Sequence, residues 1–166
     1  MRYYVCRVVA IFIPILWVGG PWVYGCLGLG GHSYYYMATT EKSSASSINQ
    51  PNFVIIDNFS LHKITHYRID GVVIKAGSKC DFLLMDEDTR IAYLIELKGS
   101  DLKKAAIQLE TTEEVLKNEL ATYERKFRIV VSKACTHAIE SSTFKRFKKK
   151  KGDSLLYGTN KIVESI

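Results

Sequence analysis

No two cysteines of this chain stand at short spacing. Cys6, Cys26, Cys80 and Cys135 lie far apart, which excludes a zinc site built on paired cysteines, and reduced, unligated thiols are expected. There is no internal repeat. His62 and His66 lie four residues apart, but no glutamate stands between them as a helical metalloprotease pattern requires. They read as strand-surface histidines rather than ligands. Charge is missing altogether from Val8 to Gly31, with Arg2 and Arg7 before that stretch.

The uncharged stretch admits several readings. One is a signal peptide with Val8–Val18 as its apolar core, or a membrane anchor. Against an anchor, it holds six glycines together with Pro14 and Pro21, and each break leaves backbone groups to be satisfied in lipid. Tyr34-Tyr35-Tyr36 then gives way abruptly to Met37-Ala38-Thr39-Thr40-Glu41-Lys42. That change favours biological initiation at Met37, with residues 1–36 an overextended start and the protein cytoplasmic. The alternatives are a membrane-associated or exported protein, addressed through residues 8–31, or a structured soluble segment. Residues 37–51 are rich in Ser, Asn and Gln towards their end and read as a flexible leader.

The rest of the chain, residues 52–166, has the composition of one folded domain. Overall, 47% of residues are apolar, which rules out general disorder, and the net charge of +6 is modest. Phe53 to Leu61 fits a short helix or a strand. His62 to Ile69 alternates as a strand, Asp70-Gly71 is a two-residue hairpin signal, and Val72-Val73-Ile74 reads as the returning strand. Two further apolar runs follow, Cys80 to Met85 and Ile91 to Gly99, joined by the charged turn Asp86-Glu87-Asp88-Thr89-Arg90. Ser100 or Asp101 can cap a helix extending to about Arg125, whose buried face carries Leu102, Ala105, Ala106, Leu109, Leu116, Leu120 and Tyr123. Phe127 to Val131 is a strand, Thr136 to about Phe147 a second helix, and Leu155 to Tyr157 a short strand, before a terminal Ile162-Val163. Strands alternating with helices give a mixed α/β (α+β) fold with a central sheet flanked by helices.

Charge inside apolar strands is the informative feature. Asp81 opens one strand; Glu96-Leu97-Lys98 ends the next. Buried strands carry charge only where it is paired or holds a cation. Glu96 and Lys98, two positions apart, share one face of a pleated strand. Two carboxylates held together repel unless a proton or cation intervenes. All-oxygen ligation suits Mg²⁺ (or Mn²⁺), with the Leu97 carbonyl a further ligand. Such an ion polarises a phosphodiester, and Lys98 beside it could hold the attacking water or offset charge on phosphorus.

Asp81, fourteen intervening residues and Glu96-Leu97-Lys98 resemble the PD-(D/E)xK nuclease superfamily of restriction endonucleases, Holliday junction resolvases and RecB-like nucleases. The similarity spans roughly residues 64–131 and matches the second half of an αβββαβ core. It implies a restriction endonuclease-like sheet, divalent metal on Asp81 and Glu96, and hydrolysis assisted by Lys98. Gln108, on the following helix, corresponds to a helical glutamine that packs near the site in RecB-like members. Cys80 stands where the name-giving proline would, and no first helix carries an obvious glutamate. Glu41, Asp57 and Asp70 are the candidates for a third acidic ligand. Many such enzymes act as homodimers to cut two strands.

The implied partner is nucleic acid, DNA in preference to RNA. Lys103 and Lys104 in the first turn of the helix are candidates to touch phosphate, against a reading as solvated lysines. Lys145, Arg146, Lys148, Lys149, Lys150 and Lys151 place six positive charges within seven residues. If all six met duplex DNA, the logarithmic salt slope would be on the order of −5. Phe144 and Phe147 between them either stack on exposed bases or anchor the helix. The rival functional readings are a noncatalytic binder with a nuclease fold and a membrane-tethered interaction domain.

Overall fold

A computed structural model describes residues 22–29, 32–39, 52–69, 77–133 and 136–166; within the first two segments only the Tyr35 and Met37 side chains are placed. The expected turn at Asp70-Gly71 and strand at Val72–Ile74 lie outside the described residues. Nine strands are described: β1 (Trp22–Leu29), β2 (His32–Thr39), β3 (Phe53–Asn58), β4 (Ile64–Arg68), β5 (Phe82–Asp86), β6 (Ile91–Lys98), β7 (Glu124–Val131), β8 (Leu155–Thr159) and β9 (Lys161–Ser165). Three helices accompany them: α1 (Leu102–Val115), α2 (Thr136–Glu140) and α3 (Ser142–Lys151). The fold is mixed α/β.

The strands form a five-stranded sheet ordered β4-β5-β6-β7-β8 and a four-stranded sheet ordered β1-β2-β3-β9. β4, β5 and β6 pair antiparallel, while β7 and β8 join in parallel, as connections through helices require. β5 and β6 are continuous apolar runs because both faces of their sheet are covered. Leu83, Ala92, Leu94, Phe127 and Ile129 pack on one face against Leu102, Ala105 and Leu109 of α1 and Phe144 and Phe147 of α3. Phe82, Leu84, Tyr93, Ile95 and Val130 pack on the other against Met37, Val54, Ile56 and Ile162 of the second sheet. Arg128 of β7, almost fully buried, spans this second core and grips Glu164 of β9 through two hydrogen bonds of 2.6 Å. Such a fork is the geometry a guanidinium makes best with a carboxylate.

Several boundaries differ from expectation. The boundary read between residues 36 and 37 falls inside β2, where Tyr35 and Met37 sit two apart and are both buried in the second core. The first three residues of the expected leader belong to that strand. Of the uncharged stretch, residues 22–29 are β1 and the remainder lies outside the described residues. No helix among the described residues is long and apolar enough to cross a membrane. Phe53 to Asn58 is strand, paired in parallel with β9.

Helix α1 begins as read, with the Asp101 carboxylate accepting from the Lys104 amide at 2.8 Å, but it ends at Val115 rather than near Arg125. Its 14 residues span ~21 Å, close to the ~26 Å of β6 that it must run back along. A helix continued to Arg125 would be about 36 Å long and would overshoot the start of β7. Successive turns over residues 116–122 instead keep Leu116, Leu120 and Tyr123 buried. The second expected helix is two, because Ser141 stops α2 and caps α3, its hydroxyl accepting from the Phe144 amide.

Candidate functional site

The alternation of β6 sends Ala92 and Leu94 toward the helices, and Glu96 and Lys98 continue that face. On the neighbouring strand Leu83 points the same way, and Asp81 lies two residues before it. Asp81 occupies a bend at the entrance to β5 and is stitched in from three sides. Its amide donates to the Ile95 carbonyl at 3.1 Å, its carbonyl accepts from the Ile69 amide at 2.9 Å, and its Oδ2 accepts from the Leu97 amide at 2.8 Å. The two carboxylates and the lysine therefore meet at one end of the central sheet, where β6 finishes and α1 begins.

Glu96 is fully buried, while the Lys98 side chain is 21% exposed. Lys98 Nζ lies 2.5 Å from Glu96 Oε1; Glu96 Oε2 is buried with no hydrogen-bond partner among the described residues. Burial drives the Glu96 carboxyl well above the usual carboxylate range, and the Asp81 carboxylate adds to the rise, with Lys98 opposing both. The neighbouring Cys80 thiol is pushed up too, by burial first and then by Glu96 and Asp81. Burial is the first cause of both shifts, and the negative charge gathered in this corner adds to it.

This donor set fits a hard divalent cation. Its members are all oxygens, and Glu96 Oε2 is an orphaned acceptor in a place where an unsatisfied oxygen is costly. In an extended strand one residue's N–H and C=O point to the same side. The Leu97 amide is bonded to Asp81, so the Leu97 carbonyl faces that edge as well. Once Glu96 ionises, two carboxylates face one ammonium and the site is net negative. No group of three or more His, Cys, Asp or Glu side chains able to hold a metal occurs among the described residues.

Gln108 reaches the same corner. Its Nε2 donates to the Lys79 carbonyl, two residues before Asp81, and its Oε1 is buried without a partner among the described residues. Thr112, one turn further on, accepts from the Cys80 amide at 2.8 Å and donates to the Gln108 carbonyl. Lys103 and Lys104 are exposed in the first turn of α1, at the site's end of the sheet.

The chain matches no family model, no curated protein and no solved structure.

The other expected residues are placed elsewhere. Asp57 sits at the end of β3, whose start lies beside Lys98; five residues of strand put it ~16 Å away, so it is no third ligand. Glu41 and Asp70 lie outside the described residues. The basic run of α3 reaches the opposite end of the sheet. Lys150 pairs with Glu110 at 3.0 Å and Lys151 with Glu113, both in the later turns of α1. Lys145 pairs with Glu140, and Lys148 donates to the Tyr157 hydroxyl at 3.0 Å. Arg146 and Lys149 are exposed and form no ion pair among the described residues. Phe144 and Phe147 are buried in the helix-side core, which leaves neither to stack on a base.

The histidines are not simple surface residues. His62 Nδ1 lies 2.7 Å from Asp86 Oδ2. His66 is held down to about 4 by burial, its ring 5.6 Å from that of Phe82. Asp86, fully buried, also accepts from the Asp88 and Thr89 amides of the turn. Burial would raise its pKa, but a hydrogen bond from the Thr89 side chain, these amides and His62 outweigh it and leave the carboxyl below its ordinary value.

Proposed function

We propose that this protein is a metal-dependent nuclease that hydrolyses phosphodiester bonds in nucleic acid, DNA in preference to RNA, with a restriction endonuclease-like core of the PD-(D/E)xK kind. The observation that carries the reading is the buried Glu96 carboxylate, in contact with Lys98 on one side and with a second acidic residue, Asp81, beside it. The order of elements supports it: three antiparallel strands, a helix and a parallel fourth strand.

Asp81, Glu96 and the Leu97 carbonyl would hold Mg²⁺ or Mn²⁺. When bound, such a cation supplies Lewis-acid polarisation of the phosphoryl oxygens and lowers the pKa of nearby water. Lys98 contributes a partly exposed ammonium at the mouth of the site, where it orients the attacking water and offsets charge developing on phosphorus. Gln108 fastens the segment carrying Asp81 to α1 through the Lys79 carbonyl. Lys103 and Lys104 attract the substrate backbone.

The test is incubation of the full chain with single-stranded, duplex and branched DNA, with and without Mg²⁺ or Mn²⁺. Asp81→Asn, Glu96→Gln and Lys98→Ala should each slow cleavage by about 10²–10⁴-fold. Cleavage by Lys98→Ala at the parent rate removes the lysine from the mechanism. No cleavage by the parent protein with either ion overturns the reading. What would then remain is a noncatalytic nucleic-acid or protein binder on the same fold. That alternative draws on the internal partners Asp81 and Glu96 already have, in the Leu97 amide and Lys98. It expects nucleic-acid binding to survive Glu96→Ala.

A further inference from the structure

We infer that Asn52 is a positioning residue for the site at the end of β6, an inference that rests on the nuclease reading for its kinetic consequence but not for its structural one. Asn52 immediately precedes β3, a strand of the four-stranded sheet, which lies on the far side of the second core from α1. It is 1% exposed. Its amide nitrogen donates to the Lys98 carbonyl at 2.5 Å and to the Ser132 hydroxyl at 2.9 Å. The Ser132 amide donates to that same Lys98 carbonyl at 3.0 Å and to the Gly99 carbonyl at 2.8 Å. One amide thus clamps the last residue of β6 to the residue that follows β7 from the side of the opposite sheet.

The clamp acts where the strand carries its chemistry. Glu96, Leu97 and Lys98 are the final residues of β6, beyond the segment paired with β5, whose ladder to β6 stops at Ile95. On the β5 side the Asp81 carboxylate holds this end, through the Leu97 amide. On the β7 side the strand continues to Lys98, opposite Val131. Fixing the Lys98 carbonyl fixes the Lys98–Gly99 peptide that closes β6, and with it the root of the Lys98 side chain, one peptide beyond the Leu97 carbonyl. A strand end free to fray would spread exactly those groups that must converge, and displacements near 1 Å are costly in such sites. Asn52 leaves its own Oδ1 buried without a partner among the described residues, a cost retained at a position whose two donor bonds reach the strand end.

The experiment compares the full-length parent with Asn52→Leu, which keeps the volume and removes both donors, and with Ser132→Ala, which removes one acceptor. Amide hydrogen exchange of the metal-free proteins is the first readout. The Leu97 and Ser132 amides should exchange about five- to tenfold faster in Asn52→Leu, with a smaller effect in Ser132→Ala, while Leu84 and Tyr93 amides in mid-sheet stay unchanged. The second readout is cleavage, where kcat should fall about tenfold at unchanged KM. Unchanged exchange at Leu97 and Ser132 overturns the inference, as does an equal acceleration at Leu84 and Tyr93. If Asn52→Leu fails to fold, Ser132→Ala decides by the same amides. A parent protein that cleaves nothing but shows the local exchange pattern refutes the nuclease reading and leaves the positioning role standing.

Discussion

Replacing Glu96 by glutamine should make the protein more stable at neutral pH and, on the proposed nuclease reading, slow cleavage. The carboxyl is fully buried, and burial is the largest cause of its raised pKa, followed by the Asp81 carboxylate; Lys98 recovers only part. In the unfolded chain such a group loses its proton near 4.5, whereas the folded protein retains it to higher pH. Between the two values the native state binds more protons than the unfolded one, so stability falls as pH rises. The contribution is fully present below pH 4.5 and is lost as pH climbs through the folded pKa. Glutamine has the same shape and cannot ionise, so the loss disappears. Lys98, 21% exposed, can turn to water once its partner is neutral. The gain at pH 8 should be about 0.5–2 kcal/mol, the size common for single stabilising changes, and each kcal/mol raises Tm by roughly 2–4 °C in a chain of this length. Calorimetry of parent and variant at pH 5, 6.5 and 8 without divalent cations measures it, and the difference should widen with pH. Added Mg²⁺ should then stabilise the parent and leave Glu96→Gln unmoved. If the variant melts below the parent at pH 8, the pair with Lys98 is a net stabilising salt bridge, and the strained carboxylate on which the functional reading depends does not exist.

Two further outcomes follow from the same geometry. His66, held down to about 4, stays neutral in the folded protein while the unfolded chain takes up a proton near 6.5. Stability should therefore be lost as pH falls from about 6.5 to 4, by on the order of 3 kcal/mol, and His66→Phe should flatten that slope in urea titrations at several pH values; an unchanged slope assigns the acid sensitivity elsewhere. For nucleic acid, Lys103→Ala with Lys104→Ala should reduce the logarithmic salt slope by about 2, since both lysines are exposed at the site's end of the sheet. Lys150→Ala with Lys151→Ala should change it by less than 1, because Glu110 and Glu113 already pair with those ammonium groups, and fluorescence anisotropy across a salt series separates the two cases.

The basic run shows how a local pattern can be accurate and still mislead. Six charges in seven residues read as a nucleic-acid footprint, which sets the salt slope near −5. Folding places α3 beside the acidic later turns of α1, and Glu110 and Glu113 answer Lys150 and Lys151 across the helix pair. The partners lie some 40 residues apart in the chain, so no window of sequence contains both. The same holds for α1, whose apolar periodicity continues to Tyr123 although its helical geometry does not. Turns at residues 116–122 preserve the burial that periodicity reports, while the length of β6 decides where the helix must stop. Periodicity records which side chains are inside; it does not record how far the neighbouring strand runs.

The candidate site was readable because its chemistry is an exception to its surroundings. Asp81, Glu96 and Lys98 are charges in strands whose other residues are apolar, and a period of two is enough to put Glu96 and Lys98 on one face. Asn52 offered no such contrast. It follows a stretch of Ser, Asn and Gln that reads as a tether, and polar residues there look alike whether they are solvated or buried. Its importance exists only because β9 and β3 build a second sheet against the central one, and the start of β3 then falls over the end of β6. Each sheet is needed for the site, the first to bring the charged groups together and the second to stop their strand from fraying. A truncation that cut past Asn52 would therefore remove the donor bonds to Lys98 and Ser132 while leaving Asp81, Glu96 and Lys98 in the chain.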